Sequence, residues 1–234
     1  MSEMKDFVYQ TARTLPVVLL LDCSGSMEVN NRIGVMNRAV REMLESFQGA
    51  SNTVASISVS VIAFGGVHAR IHLPMTAVDE LDLDSFQDMV ADGKTPLGDA
   101  ISKAKEMIED KDEVPSRAYR PTVVLVSDGN PNDRWEEPLQ AFKEEGRSSK
   151  CYRMAMGIGA EKGSEAYEVL KRFASDGEQV FDGADAAEIG RFFRYVTMST
   201  TSRIKTANPN EIPSMEQVLS QPDIGDDDDD DFPF

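Results

Sequence analysis

A chain of 234 residues with 41% hydrophobic content can bury a full core, and it reads as one domain of about 200 residues plus a tail. The net charge is −17, but seven of the acids and no basic residue lie beyond residue 220, which leaves −10 on residues 1–220. That balance excludes direct nucleic-acid binding, which needs a basic surface, and docking on an anionic membrane.

The amino terminus lacks the basic start and apolar stretch of a signal peptide, and no run approaches the roughly 20 apolar residues of a membrane span. The two cysteines, Cys23 and Cys151, read as buried reduced thiols rather than a disulfide framework, so a cytoplasmic location is expected.

In chain order, the apolar run 15–21 reads as a buried strand. Residues 32–47 place Ile33, Met36, Val40, Met43, Leu44 and Phe47 on one helical face, and Gly49 ends that helix. Residues 54–64 alternate apolar residues with serines as a strand does. Gly65 and Gly66 then turn the chain into an antiparallel strand over 67–73. Helices are expected over 83–90 and 97–108, a solid apolar strand over 122–126 and a helix over 135–145. A strand over 152–158, a helix over 166–174, a short strand over 179–181 and a final helix over 187–198 follow. Strands alternating with helices predict an α/β fold: a doubly wound, mostly parallel central sheet with one antiparallel edge strand and helices on both faces. Beyond 198 the apolar period fades, which sets a domain at 1–198, a linker at 199–225 (with one helical turn near 215–219) and an acidic tail at 226–234 expected to be disordered.

Directly behind the first strand stand Asp22, Ser24 and Ser26. Alternate side chains of an extended segment face the same way, so one carboxylate and two hydroxyls converge, which is half of a hard-cation site. Two further loops aim at the same sheet edge: 93–99, which holds Lys94, Thr95 and Asp99, and 127–133, which holds Asp128. If the first and fourth strands are neighbours, all three loops meet at the topological switch point, where ligands of such sheets bind.

Asp22, Ser24, Ser26, Thr95 and Asp128 together resemble the complete metal-ion-dependent adhesion site of the von Willebrand factor A domain, over residues 15–198. Within that family, Ser-Asp-Gly-Asn-Pro-Asn-Asp-Arg-Trp and Thr-Pro-Leu-Gly resemble the bacterial tellurium-resistance TerY branch. The resemblance implies a Rossmann-like fold and a Mg²⁺ (or Mn²⁺) bound directly by the serines, by Thr95 in some states, and by the aspartates directly or through waters. It further implies an Asp or Glu of a partner protein at the open position, and a stress-response or phage-defence setting beside a kinase or phosphatase of the same system. Many family members carry glycine before the threonine, whereas this chain carries Lys94, which lowers cation affinity or reaches toward the partner's carboxylate.

Each residue also has a plainer reading. Ser26 or Asn31 caps the first helix. Asp99 either orients Thr95 or a water, or caps its helix and faces solvent. Cys23 faces away from the ligands as a core residue. His68 and His72, at i and i+4, form a metal pair only with a third ligand, and otherwise mark an exposed edge strand. Trp135 is either a partner-facing anchor or the first core residue of its helix, and Met36, Met43, Met154 and Met156 read as packing.

Catalysis lacks its residues. A phosphoaspartate phosphatase needs an acid two positions after Asp22, where Ser24 stands, and no Ser-His-acid set or phosphate loop is present. A metal-dependent phosphohydrolase is therefore the least favoured function. The tail, six aspartates followed by Phe232, Pro233 and Phe234, is a solubilising run on the plain reading. On the sharper one it is a linear peptide that recruits a second partner, similar to the acidic tail of bacterial single-stranded-DNA-binding proteins, or one whose aspartate enters a metal site of this or a neighbouring chain.

Overall fold

A computed structural model describes residues 12–50, 55–128, 130–175, 180–214 and 217–218. Six strands form one sheet in the order β3-β2-β1-β4-β5-β6. They are β1 Arg13–Asp22, β2 Ala55–Gly65, β3 His68–Ala77, β4 Thr122–Ser127, β5 Tyr152–Gly157 and β6 Val180–Asp182. All neighbours run parallel except β3, which pairs antiparallel with β2 at the edge. β1 lies between β2 and β4, so the expected switch point exists.

Strand alternation divides the core. Leu15, Val17, Leu19, Leu21 and Cys23 face the layer that contains α1 (Arg32–Gln48) and α5 (Ala186–Lys205). Val18 and Leu20 face the layer of α2 (Leu97–Glu109), α3 (Glu136–Glu144) and α4 (Glu165–Phe173). With both faces covered, β1 needs apolar residues at consecutive positions rather than an amphipathic alternation. Cys23 and Cys151 fall in opposite layers, and both are buried free thiols. The four methionines read as packing are buried as expected.

Two expectations about elements change. Residues 83–90 form no helix. Their backbone groups are taken by α1 side chains instead: Asn37 pairs with both the N–H and the C=O of Met89 (3.0 and 2.9 Å), and Arg41 donates to the carbonyls of Leu83 and Phe86. Phe86 and Met89 still enter the core, so the apolar spacing there records burial of an irregular strap. The last helix, expected to end at Met198, continues to Lys205 through residues read as linker. Thr197, Thr201 and Ser202 bond their hydroxyls back to carbonyls three or four residues earlier, which lets a polar-looking run stay helical and buried. The helical turn expected near 215–219 lies mostly outside the described residues, as does the tail.

Candidate metal centre

The site begins where β1 runs out. Asp22 is the last residue of that strand and is wholly buried. Its carboxylate accepts from the Ser24 N–H at 2.8 Å and from the Ser127 hydroxyl at the end of β4. Burial pushes the Asp22 carboxyl up to about 6, against the lowering effect of those hydrogen bonds, and the nearby Asp128 raises it further.

After Asp22 the chain turns into a 3-10 segment, Gly25–Asn31, with Asn30 and Asn31 in the left-handed region that asparagine tolerates. The turn keeps the two serines together: Ser24 Oγ lies 3.0 Å from Ser26 Oγ, and Ser26 Oγ donates to Asp128 Oδ1 at 2.7 Å. The plain capping reading therefore fails, since Ser26 directs its hydroxyl at Asp128 and Asn31 makes no side-chain cap. Asp128 has a fully buried side chain, and its second oxygen takes a 3.1 Å ion pair from Arg32 at the start of α1.

Thr95 reaches this edge through a loop fastened on both sides. Gly25 N–H donates to Gly93 O at 3.0 Å, Asp92 N–H to Cys23 O at 2.7 Å, and Gly66 N–H to Asp92 O at 2.6 Å. On the other side Asn132 N–H donates to Thr95 O, and the Asn132 side-chain amide pairs with the N–H and C=O of Thr95. Asp133 accepts from the N–H groups of Gly98 and Asp99, which caps α2 and locks it to the β4–α3 loop. Thr95 is 7% exposed in this arrangement.

The donor set fits a hard cation. Oxygens on adjacent positions of an octahedron of radius about 2.1 Å lie about 3.0 Å apart, close to the spacing between the two serine oxygens and between Ser26 and Asp128. Among the described residues no group of three His, Cys, Asp or Glu side chains could hold a metal.

Not every expected site residue joins this cluster. Asp99 turns toward the hairpin: it accepts from Ala69 N–H at 2.8 Å and faces His68 and Lys103. Its carboxylate fastens β3 to α2, which replaces the role of orienting Thr95. His68 faces Asp99 while His72 bonds the Gln87 carbonyl, so the two imidazoles serve different partners. Trp135 is half-buried against the second core layer with the Arg172 guanidinium 4.4 Å over its ring, which makes it packing rather than a free anchor. Lys94 is exposed beside Thr95, its N–H donating to Gly66 O. Phe232, Pro233 and Phe234 lie outside the described residues.

Arg32, Asn132, Asp133 and Ser127 do the positioning that sequence reasoning missed. Asn132 and Asp133 stand in a loop whose polar composition marked it, but no spacing rule says that they would bind the backbone of a different loop. Arg32 reads from the sequence only as the start of a helix.

A doubly wound α/β domain with hydroxyl and carboxylate groups gathered at its switch point defines the class of protein. Residues 17–130 match the profile of the von Willebrand factor type A domain, and the sheet order described above agrees with that match. An uncharacterized protein of Mycobacterium tuberculosis is 29% identical over 113 residues, which cover 48% of this chain and 17% of that one. Among solved structures, the vWF domain of the type V pili tip protein Mfa5 from Porphyromonas gingivalis superposes with a TM-score of 0.64 at 12% identity, over 85% of this chain and 98% of that one. The pilus adhesin SpaC from Lactobacillus rhamnosus GG gives 0.63 at 16%, over 80% and 30%. Proximal thread matrix protein 1 from mussel byssus, with a zinc-occupied adhesion-site motif, gives 0.61 at 17%, over 80% and 48%. In the mussel protein the motif holds zinc. No helix among the described residues is long and apolar enough to cross a membrane.

Proposed function

We propose that this protein is an interaction module that grips an Asp or Glu of a partner protein through a divalent cation, Mg²⁺ or Mn²⁺. The observation that carries this reading is the continuous run of oxygens from Ser24 through Ser26 to Asp128 at octahedral-edge spacing. Ser24, Ser26 and Thr95 are the ligands, and Asp22 and Asp128 bind directly or through waters. A bound cation held largely by neutral hydroxyls supplies a positive charge that the chain does not fully offset, which favours an outside carboxylate at the open position. Arg32 holds the Asp128 carboxylate in place, and exposed Lys94 steers the incoming acid.

Nucleophilic chemistry is disfavoured because both oxygens of Asp22 are engaged by the chain itself, one by Ser24 N–H and the other by Ser127. The likeness of the Thr95 and Asp128 motifs to the TerY branch supports a cytoplasmic bacterial stress-response or phage-defence setting, with a kinase or phosphatase as the partner.

Calorimetric titration with Mg²⁺ and pull-down from native lysate, each with and without chelator, test the proposal. Ser24→Ala and Asp128→Ala are expected to lose both the metal heat and the captured partner while retaining the circular dichroism spectrum. Capture that survives EDTA and both substitutions would overturn it.

A further inference from the structure

Arg32 stands where helix physics disfavours it. It is the first residue of α1, the first turn of that helix contains no acid, and the positive end of the helix dipole repels a guanidinium there. Its side chain is nevertheless fixed. Nη1 donates to Asp128 Oδ2 at 3.1 Å, and Nη2 lies so close to Gly159, in the loop after β5, that a Cβ there would stand 2.7 Å from it. The Asp128 side chain is fully buried, which shields the pair from the screening that weakens exposed ones.

This contact governs how the carboxylates of the metal centre can be used. Each of them shows one oxygen to the serines and gives the other to a donor elsewhere in the chain. Asp128 Oδ1 accepts from Ser26 Oγ at 2.7 Å, while Oδ2 is held by Arg32. Asp22 Oδ1 accepts from Ser24 N–H at 2.8 Å, while Oδ2 is held by the Ser127 hydroxyl. Neither carboxylate can chelate a cation through both oxygens without breaking one of these bonds.

The two restraints are unequal. Ser127 contributes a neutral hydroxyl that can rotate, whereas Arg32 makes a charge-assisted bond from a planar fork. Releasing Asp128 is therefore the costlier step. One oxygen apiece from Asp22, Ser24, Ser26, Thr95 and Asp128, with one more from outside, makes the octahedral six that Mg²⁺ requires. Ca²⁺ takes about six to eight oxygens and reaches the higher numbers through bidentate carboxylates. A site that denies it those ligands favours the smaller ion.

We propose that Arg32 is the positioning residue that sets the cation selectivity of this site: by holding Asp128 Oδ2 it keeps that carboxylate monodentate, so the site takes Mg²⁺ or Mn²⁺ and discriminates against Ca²⁺. The inference rests on the metal reading above and adds the residue responsible for the choice of ion.

The test titrates the full chain calorimetrically with MgCl₂ and with CaCl₂, as wild type, Arg32→Met and Arg32→Lys, each checked for its circular dichroism spectrum. Methionine removes donor and charge together, and lysine restores a charge and a donor. Loss of a positive charge alone strengthens both divalent ions alike, so the ratio of their dissociation constants isolates the restraint on Asp128. Arg32→Met is expected to raise calcium affinity relative to magnesium by about tenfold, and Arg32→Lys to return the ratio toward wild type. Terbium luminescence lifetimes in H₂O and D₂O count the waters on a calcium-sized ion, and Arg32→Met should lose about one as Asp128 becomes bidentate. An unchanged ratio or an unchanged water count in Arg32→Met overturns the proposal and leaves the metal reading intact. So does a wild type that binds calcium as tightly as magnesium, whatever the variants do. A wild type that binds none of the three ions overturns the metal reading, and this proposal with it.

Discussion

Gly93 carries the geometry of the candidate site, and Gly93→Ala tests whether the loop that presents Thr95 is held as described. Its φ is +59°, and a Cβ there would stand 2.7 Å from Gly66 Cα, in backbone that cannot swing aside. The left-handed conformation alone costs about 1–2 kcal/mol for a residue with a Cβ. Relieving the contact requires a retreat of about 1 Å to reach ordinary van der Waals separation. That retreat stretches the bonds from Gly25 N–H to Gly93 O and from Lys94 N–H to Gly66 O, now 3.0 and 3.1 Å. Each is worth about 0.5–1.5 kcal/mol, which gives a total near 3 kcal/mol. Gly163 provides the control: its φ is +88°, but nothing lies within 4 Å of a Cβ there, so Gly163→Ala bears only the conformational cost. At roughly 3 °C per kcal/mol for a domain of this size, thermal melts should fall by about 10 °C for Gly93→Ala and about 4 °C for Gly163→Ala. Magnesium titration of the two variants should show weakened binding for the first alone. Equal melting temperatures would refute the close-approach account of this loop.

Three further outcomes follow from named contacts. Asn37→Ala leaves the buried N–H and C=O of Met89 without their partner and should cost about 2–4 kcal/mol in urea unfolding; a loss below about 1 kcal/mol would show that water replaces the side chain. In EDTA, the folded protein keeps a proton on Asp22 up to about pH 6 that the unfolded chain releases near 3.8, so stability should fall as pH rises through that window. The fall is at most about 3 kcal/mol, Asp22→Asn should remove it, and a rise over the same range would contradict the burial argument. Burial pushes both thiols up to about 12, so Ellman's reagent at pH 8 should titrate neither Cys23 nor Cys151 until the protein is unfolded, and rapid native reaction of either would contradict their placement.

The sequence by itself determined the alternation of strands and helices, because apolar period is local information and the two-sided burial of β1 writes itself as an unbroken apolar run. It also brought Asp22, Ser24 and Ser26 together behind β1, since alternate side chains of an extended segment face the same way. Where burial was supplied by a distant element, the local pattern misled. The strap at 83–90 looks helical because Phe86 and Met89 are buried, yet Asn37 and Arg41 of α1 satisfy its backbone. The hydroxyl-rich end of α5 looks like a linker until its hydroxyls are seen to bond their own helix. Only the tertiary structure decided that Asp99 fastens a hairpin, that Asn132 and Asp133 hold the Thr95 loop, and that Arg32 braces Asp128. Each of these is a contact between segments far apart in the chain, and residue spacing carries no record of which polar group will meet which.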